Sequence, residues 1–278
     1  MKVKDLLAEG EKRLSAAGIE NPALEAWYML EDICGIDRVH YYTHPVEVAD
    51  SECAERFEEA IRRRMGHEPL QYILGKTCFM GLDFMVGPTV LIPRQDTEVL
   101  VETVLSYIKS KDVDVLDMCT GSGCILLSLM ALGGLDHGWG SDISADALQM
   151  AERNQKALDI QGAQWILSSL FEEMTGKYDM IVSNPPYISS GEIDGLMPEV
   201  RDFEPRLALD GEEDGLAFYR AISQKAPEFL KPGGMLFFEI GCTQAADVTA
   251  CMAAHGFKNI CTIKDLAGLD RVVYGNIA

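Results

Sequence analysis

The spacing of apolar residues predicts a helical first part of the chain. Leu6 and Leu14 recur at helical intervals, and the segments 23–34 and 50–65 each fit a helix that buries one face. From residue 70 to 92 the pattern changes to Tyr, Phe, Ile, Val and Thr separated by glycines, which predicts a β-hairpin. We therefore expect a small helical bundle that a hairpin joins to the rest of the chain.

Beyond the hairpin, apolar strands alternate with amphipathic helices. Repeated strand–helix units predict an α/β fold, in which a mostly parallel, Rossmann-like sheet is covered by helices on both faces. The last two strands are joined by only a short loop, so they should form an antiparallel hairpin at one edge. The seven predicted strands span residues 113–118, 139–143, 164–167, 180–183, 235–240, 259–264 and 271–274.

These patterns divide the chain into three parts. We expect an N-terminal helical domain over residues 1–75, a β-hairpin linker over 76–92 and an α/β domain over 93–278. A length of 278 residues also favours two domains over one.

The chain is acidic, with a formal net charge of −20 that is spread over its whole length. Proteins that bind a phosphate backbone need clustered positive charge, so we expect no direct nucleic-acid partner. The acidity fits a partner with a basic surface, and it fits solubility equally well.

The eight cysteines are scattered without a Cys-x-x-Cys pair. The first residues lack the apolar core of a signal peptide, and no apolar run reaches the roughly 20 residues that a membrane span needs. We therefore expect a cytoplasmic protein with no membrane partner, whose cysteines are reduced and mostly buried. The five histidines are too dispersed to predict a metal site.

A glycine-containing turn lies where the first predicted strand of the α/β domain meets its helix. Glycines there let the backbone approach a ligand closely and leave N–H groups facing the crevice. Leu126 stands where a dinucleotide-binding turn has its third glycine, which argues against an NAD-dependent dehydrogenase. Tight packing without a ligand is the alternative interpretation. The residues expected at a cofactor are Asp117, Cys119, Thr120, Gly121, Ser122 and Gly123.

Asp142 ends the second predicted strand of this domain. A carboxylate at that point can accept hydrogen bonds from both hydroxyls of a ribose, and it would repel a 2′-phosphate. An adenosine ligand without phosphates therefore fits both the turn and Asp142. S-adenosylmethionine is such a ligand, and we expect it as the cofactor.

The sequence Asn184-Pro185-Pro186-Tyr187 follows the fourth predicted strand. Two successive prolines fix two φ angles and remove two backbone donors, so the chain must leave the sheet at its carboxyl edge. That edge is where open α/β sheets bind ligands. An ordinary turn is the alternative interpretation.

These residue types suit methyl transfer to a planar NH₂ group, whose lone pair is delocalised and therefore poorly nucleophilic. The Asn184 side-chain oxygen and the Pro185 carbonyl can accept its two N–H groups and aim the lone pair at a sulfonium methyl. Tyr187 can stack on the flat group and exclude water. Such catalysis needs positioning and preorganised dipoles, and no strong general base.

The chain resembles the peptide-chain release factor glutamine methyltransferase family over nearly its whole length. The resemblance rests on the two motifs above and on the segments 68–75, 91–98, 204–205, 214–220 and 265–273. It implies methyl transfer from S-adenosylmethionine to the glutamine of a Gly-Gly-Gln tripeptide in release factors, which an N-terminal substrate-docking domain helps to hold. By position, Thr120, Gly121, Gly123 and Asp142 would hold the cofactor, and Asn184, Pro185, Pro186 and Tyr187 would hold the glutamine amide. We also expect Leu170 and Asn184 at the cofactor. We expect a monomer.

The chain departs from the family pattern at three places. Cys119 replaces the first glycine of the turn, so the turn must accommodate a Cβ. Ser169 and Leu170 stand where the family often has Asp and Trp, so we expect apolar packing of Leu170 or Phe171 against the adenine. Gln95 replaces a frequent proline. None of these changes falls on the residues that would hold the amide.

Arg94 and Glu98 lie four residues apart at the start of a helix. They form either a salt bridge on the helix surface or a lid over cofactor and substrate. The sequence leaves both interpretations open.

The competing enzyme function is methylation of the adenine N6 amino group in DNA or RNA, since that group is also a planar NH₂. Such an enzyme needs a basic groove and a way to extrude the base, and the acidic chain has no basic, aromatic-rich stretch. A binding module without catalysis would have little reason to keep Asn184, Asp142 and the glycine turn together.

Overall fold

The computed structural model describes the whole chain, residues 1–278. It forms two compact units: residues 1–76 with 197–203, and residues 77–196 with 204–278. The α-helices are α1 (Val3–Ala16), α2 (Pro22–Cys34), α3 (Arg38–Thr43), α4 (Ser51–Met65), α5 (Leu70–Leu74), α6 (Gln95–Leu105), α7 (Cys124–Gly133), α8 (Ala145–Ala157), α9 (Pro198–Phe203), α10 (Ala217–Phe229) and α11 (Ala245–Ala254). No helix combines the length and apolar character needed to cross a membrane.

The strands are β1 (Lys76–Phe79), β2 (Leu82–Met85), β3 (Val115–Met118), β4 (Gly138–Asp142), β5 (Ala163–Leu167), β6 (Tyr178–Ser183), β7 (Leu230–Glu239), β8 (Lys258–Lys264) and β9 (Asp270–Asn276). Single turns of 3-10 helix span Ile193–Gly195 and Arg206–Ala208.

In the first unit, α1, α2 and α4 pack their apolar faces together. Leu14 of α1, Leu30 of α2 and Phe57 of α4 are fully buried in this core. The Asp50 side chain accepts a hydrogen bond from the Cys53 N–H (2.7 Å) and so caps the start of α4. The helix therefore begins at the position that the sequence predicts.

Arg64, near the end of α4, is buried among carboxylates. Its side chain donates to Glu25 of α2 (2.5 Å) and to Glu199 of α9 (3.1 Å). This ion-pair network explains why residues 197–203, which are distant in sequence, belong to the first unit.

The expectation of reduced cysteines is wrong for Cys34 and Cys53, and the expectation that most are buried is wrong, since only Cys53 and Cys124 are. Cys34 at the end of α2 and Cys53 in the first turn of α4 form a disulfide, with their Cα atoms 5.2 Å apart. The packing of the two helices brings the cysteines within bonding distance, which spacing along the chain could not reveal. Of the free cysteines, Cys78, Cys242 and Cys261 are exposed.

The β-hairpin is shorter than the pattern of residues 70–92 predicts. Met80 and Gly81 join β1 to β2 with positive φ angles of 52° and 76°, as a two-residue type I′ turn requires. Residues 70–74 form α5, and residues 86–94 carry no strand. The Met80 N–H donates to the carboxylate of Glu98 (2.7 Å), which ties the turn to α6.

The second unit contains the predicted seven-stranded sheet, in the order β5-β4-β3-β6-β7-β9-β8. Strands β3 to β7 pair in parallel, and β9 pairs antiparallel with both β7 and β8. The chain runs outward from β3 through β4 to β5 and then returns to the other side of β3 with β6. At such a switch point the loops after neighbouring strands diverge and leave a crevice. The α/β fold class and the antiparallel edge hairpin are confirmed.

Consecutive residues of the central strands face opposite layers of helices. Val182 and Phe237 pack in one buried cluster with residues of α6 and α7. Ile181 and Phe238 pack in a second cluster with residues of α10 and α11. Because these strands are buried on both faces, the runs Met180–Val182 and Leu236–Phe238 are apolar without alternation.

Gly10 allows α1 and α4 to pack closely together. A Cβ added to Gly10 would lie 2.9 Å from two ring atoms of Phe57 and 3.1 Å from Ile61. Both neighbours are fully buried, so neither has room to move away.

We predict that Gly10→Leu lowers the free energy of unfolding by about 1–3 kcal/mol, because the added side chain overpacks the helix contact. Ala8→Leu, at an exposed position of the same helix, is the matched control and should change it by less than about 0.5 kcal/mol. Urea titrations of both variants measure the difference. Equal midpoints for the two variants would show that the contact tolerates the side chain.

Candidate active site

One cavity lies at the carboxyl ends of β3, β4 and β6, with an empty volume of about 1140 Å³ that includes its open mouth. Its wall also contains residues from the segment before α6 and from the loop after β5. The position is the switch point of the sheet, where the sequence predicts a ligand site.

The structure brings most of the predicted site residues to this cavity. Those in its wall are Cys119, Thr120, Gly121, Ser122, Asp142, Leu170, Asn184 and Pro186. Four predicted residues are not part of the wall, namely Asp117, Gly123, Pro185 and Tyr187.

The glycine turn combines a left-handed backbone with close packing at Gly123. Cys119, Gly121 and Gly123 all have positive φ angles, of 61°, 56° and 78°. A Cβ on Gly123 would lie 2.8 Å from the Trp165 ring and 3.1 Å from the Ala151 side chain. Gly123 therefore permits close packing of the turn against its neighbours, while Gly121 is part of the cavity wall.

Asp117 supports the turn from within the protein. Its side chain is fully buried and accepts hydrogen bonds from the Thr120 hydroxyl (2.5 Å) and the Leu126 N–H (3.3 Å). Its Oδ1 has no partner, and burial raises the pKa of this carboxyl to about 7.

Asp142 is held by two backbone groups at the cavity wall. Its Oδ2 accepts from the Gly121 N–H and its Oδ1 from the Ser144 N–H, both at 2.9 Å. Burial raises the pKa of Asp142, and these N–H groups partly oppose that shift. Each carboxylate oxygen keeps a further lone pair, so the group can accept two hydroxyl hydrogens.

Of the two apolar residues expected against an adenine, only Leu170 is part of the cavity wall. Its carbonyl accepts a hydrogen bond from the Ser168 hydroxyl (2.8 Å), and its φ is 49°. Phe171 instead stacks on Phe229 in the core, with ring centroids 4.7 Å apart.

The Asn-Pro-Pro-Tyr corner begins directly after β6, which ends at Ser183. The Ser183 hydroxyl donates to the Met118 carbonyl (2.7 Å) and so fastens the corner to β3. The Asn184 Nδ2 donates to the Thr97 hydroxyl of α6 (3.4 Å). Asn184 therefore reaches the cavity with its nitrogen engaged.

Tyr187 is tied to the protein through its backbone. Its carbonyl accepts from the Gln244 Nε2 (3.0 Å), and the Gln244 Oε1 accepts from the Gly241 N–H (2.9 Å). The Tyr187 side chain packs against the core under α10 and α11, and burial raises its pKa to about 12. Stacking of this ring on a flat group stays a prediction.

The loop of residues 210–215 lies against the same corner. A Cβ on Gly211 would lie 2.8 Å from the Tyr187 Cα, and one on Gly215 would lie 2.4 Å from the Tyr187 carbonyl oxygen. The backbone of this loop therefore supports the backbone of the corner directly.

Of the two interpretations left open for Arg94 and Glu98, the structure does not form the salt bridge between them. Arg94 forms its ion pair with Glu204, and Glu98 accepts from the Met80 N–H. Contacts with distant segments thus replace the local pairing on the helix. Arg94 is part of the cavity wall. The interpretation of Arg94 and Glu98 as a lid over cofactor and substrate stays a prediction.

Sequence reasoning missed three residues that surround the corner: Thr97, Glu239 and Gln244. Thr97 is buried in the first turn of α6, and Glu239 is buried at the end of β7. A charged residue that closes the apolar run Met235–Phe238 was the available signal for Glu239. For Thr97 the available signal was its place in segment 91–98, which carries part of the resemblance, and nothing local marks Gln244.

Comparisons with known proteins find both family models and close relatives for this chain. Residues 5–75 match the family model of the PrmC N-terminal domain, and residues 95–198 match that of the methyltransferase small domain. Release factor glutamine methyltransferase of Geobacter sulfurreducens is 44% identical over 95% of this chain and 93% of its own length. That of Agrobacterium fabrum is 40% identical over 96% of this chain and 94% of its own length.

Among solved structures, ribosomal protein L11 methylase from Lactobacillus delbrueckii subsp. bulgaricus is similar, with a TM-score of 0.51. The match covers 69% of this chain and 83% of that one at 19% sequence identity. This likeness concerns the fold alone.

We predict that Cys119→Val lowers the melting temperature by several degrees. A β-branched side chain is strained at positive φ, by about 1–2 kcal/mol. Cys119→Gly, which has no Cβ, is the control and should melt within a few degrees of the unsubstituted protein. Thermal unfolding followed by circular dichroism measures both variants. A valine variant as stable as the glycine variant would contradict the left-handed backbone at this position.

Proposed function

Because the chain belongs to the release factor glutamine methyltransferase family, we propose that it methylates peptide chain release factors. The methyl group passes from S-adenosylmethionine to the side-chain amide nitrogen of the glutamine in their Gly-Gly-Gln motif. The observation that carries the proposal is that Asn184 shares one cavity wall with Asp142 and the glycine turn.

The chemistry of the wall fits the cofactor. Asp142 is oriented by two N–H groups and keeps lone pairs for the two ribose hydroxyls. Leu170 offers an apolar surface to the adenine, in place of the aromatic residue that is frequent in the family. When bound, the cofactor supplies an electrophilic methyl group on a positively charged sulfur. Thr120, Gly121 and Ser122 complete the proposed binding surface.

Asn184 and Pro185 hold the glutamine amide in this proposal. The Asn184 nitrogen donates to Thr97, which leaves its Oδ1 as an acceptor. The Oδ1 and the Pro185 carbonyl take the two N–H groups of the substrate. Fixing both N–H bonds directs the lone pair at the methyl carbon, and the fixed dipoles stabilise the positive charge that develops on the nitrogen.

The partner in this proposal is a release factor, and the helical first unit helps to dock it. The net charge of −20 favours a substrate with a basic surface over a bare phosphate backbone. Because release factors act in translation, we propose that the protein works in the cytoplasm. The competing function is methylation of the adenine N6 amino group in DNA or RNA.

The proposal is tested by incubating the protein and labelled S-adenosylmethionine with a purified release factor, and separately with DNA and RNA. We expect a mass gain of one methyl group on the Gly-Gly-Gln glutamine, located by peptide mass spectrometry. Label on adenine and none on the release factor would replace the proposed function with the nucleic-acid one.

Asn184→Ala should lower the rate of transfer by roughly 100-fold or more, because it removes an acceptor from the substrate amide. Cofactor affinity, measured by calorimetry, should change less than about threefold, since Asp142 and the turn are intact. Asn259→Ala, at an exposed site on β8, is the matched control. Full activity of the Asn184 variant would remove this residue from the mechanism.

A further inference from the structure

A buried carboxyl group lies beside the Asn-Pro-Pro-Tyr corner, and neither the cofactor nor the substrate amide needs it directly. Glu239 is the last residue of β7 and is 2% exposed. Ser183 pairs with Phe238 in the sheet, so the residues that follow them, Asn184 and Glu239, are neighbours. The carboxyl group therefore lies at the base of the proposed amide site.

The groups that meet the Glu239 carboxyl are side chains of the site itself. Side-chain hydrogen bonds with Thr97 and Asn184 partly oppose the rise that burial causes in the pKa of Glu239, and its Oε2 is left without a partner. The Asn184 Nδ2 also donates to the Thr97 hydroxyl (3.4 Å). Glu239, Thr97 and Asn184 thus form one polar cluster, which we call the Glu239 triad.

No cation balances the Glu239 carboxyl. Arg271 of β9 acts on it only at longer range, because its guanidinium pairs with Asp96 and Asp265, both at 3.0 Å. Burial raises the pKa of Glu239 to about 7. A buried acid without an ion pair costs stability, and acids with a pKa perturbed in this way cluster at functional sites.

We propose that Glu239 is a positioning residue that orients the Asn184 carboxamide with its oxygen toward the substrate. This inference rests on the proposed function and deepens it. In its ionised form Glu239 accepts hydrogen bonds from the Asn184 nitrogen and the Thr97 hydroxyl, and by doing so it decides which end of the Asn184 amide faces the cavity.

The orientation matters because the two ends of a carboxamide have opposite hydrogen-bonding roles. Rotation by 180° exchanges the oxygen acceptor for an NH₂ donor. A rotated Asn184 would present NH₂ to the NH₂ of the substrate glutamine, and the amide could not be held.

Thr97 alone cannot prevent this rotation, since a hydroxyl both donates and accepts. A carboxylate only accepts. When the Thr97 hydrogen points to Glu239, the Thr97 oxygen is free to accept from the Asn184 nitrogen, and the direction of every bond in the Glu239 triad follows from one charged group.

Glu239→Leu and Glu239→Gln test the proposal in methyl transfer to a release factor. Leucine removes the acceptor, and kcat should fall roughly 10- to 100-fold, the range expected when a holding group is misplaced. Glutamine keeps the shape but can donate as well as accept, so it should give an intermediate loss. KM for the release factor and Kd for S-adenosylmethionine should each change less than about threefold. Unchanged kcat in both variants would overturn the proposal.

The stability of the two Glu239 variants distinguishes a positioning role of Glu239 from a structural role. Both variants should unfold at the same or a higher urea concentration than the unsubstituted protein at pH 8, because they remove an unpaired buried charge. Ser128→Ala, which also removes a buried oxygen without a partner, is the control and should keep its kcat. A loss of stability that accounts for the loss of activity would contradict the proposal.

A double substitution tests whether Glu239 acts through Asn184. If it does, adding Glu239→Leu to Asn184→Ala should lower the residual rate by less than about twofold, since the group to be oriented is already absent. Multiplying losses would show that Glu239 acts by another route. If the unsubstituted protein does not methylate a release factor, the proposed function itself fails, and that outcome is distinct from either of these.

Discussion

Two consecutive prolines force the chain out of the sheet at Asn184, and the geometry of the site depends on that constraint. A proline cannot continue a central strand, so β6 must end at Ser183. The exit lies beside the turn after β3, and the Ser183 hydroxyl fastens the two together through the Met118 carbonyl. The residue that follows is thereby brought into the same cavity as the carboxylate at the end of β4.

The surroundings of this corner hold it from several sides. Gln244 binds the Tyr187 carbonyl, the backbone at Gly211 and Gly215 lies against Tyr187, and Thr97 and Glu239 lie beside Asn184. Most of these contacts come from segments far along the chain. A site built on a rigid corner can hold an amide without a strong base, because its dipoles are in place before the substrate arrives.

Features of the structure that arise from residues close together in the sequence could be predicted. Apolar runs, glycines and prolines predict the seven strands, the turn after β3 and the exit at Asn184. The unpredictable part arises from tertiary contacts. Cys34 meets Cys53 because two helices pack, Arg94 finds Glu204 instead of Glu98, and Phe171 stacks on Phe229 and leaves Leu170 to the cavity. The sequence alone did not show that Gly123 packs against the Trp165 ring and Ala151, because both neighbours are distant in sequence.

The central claim is that Asn184 and Pro185 accept both N–H groups of a glutamine side chain beside the cofactor. A crystal structure with S-adenosylhomocysteine and a Gly-Gly-Gln peptide tests it most directly. We predict that the glutamine nitrogen lies about 3 Å from both the Asn184 Oδ1 and the Pro185 carbonyl oxygen. A glutamine bound by its oxygen to Asn184, or held away from the cavity, would contradict the account.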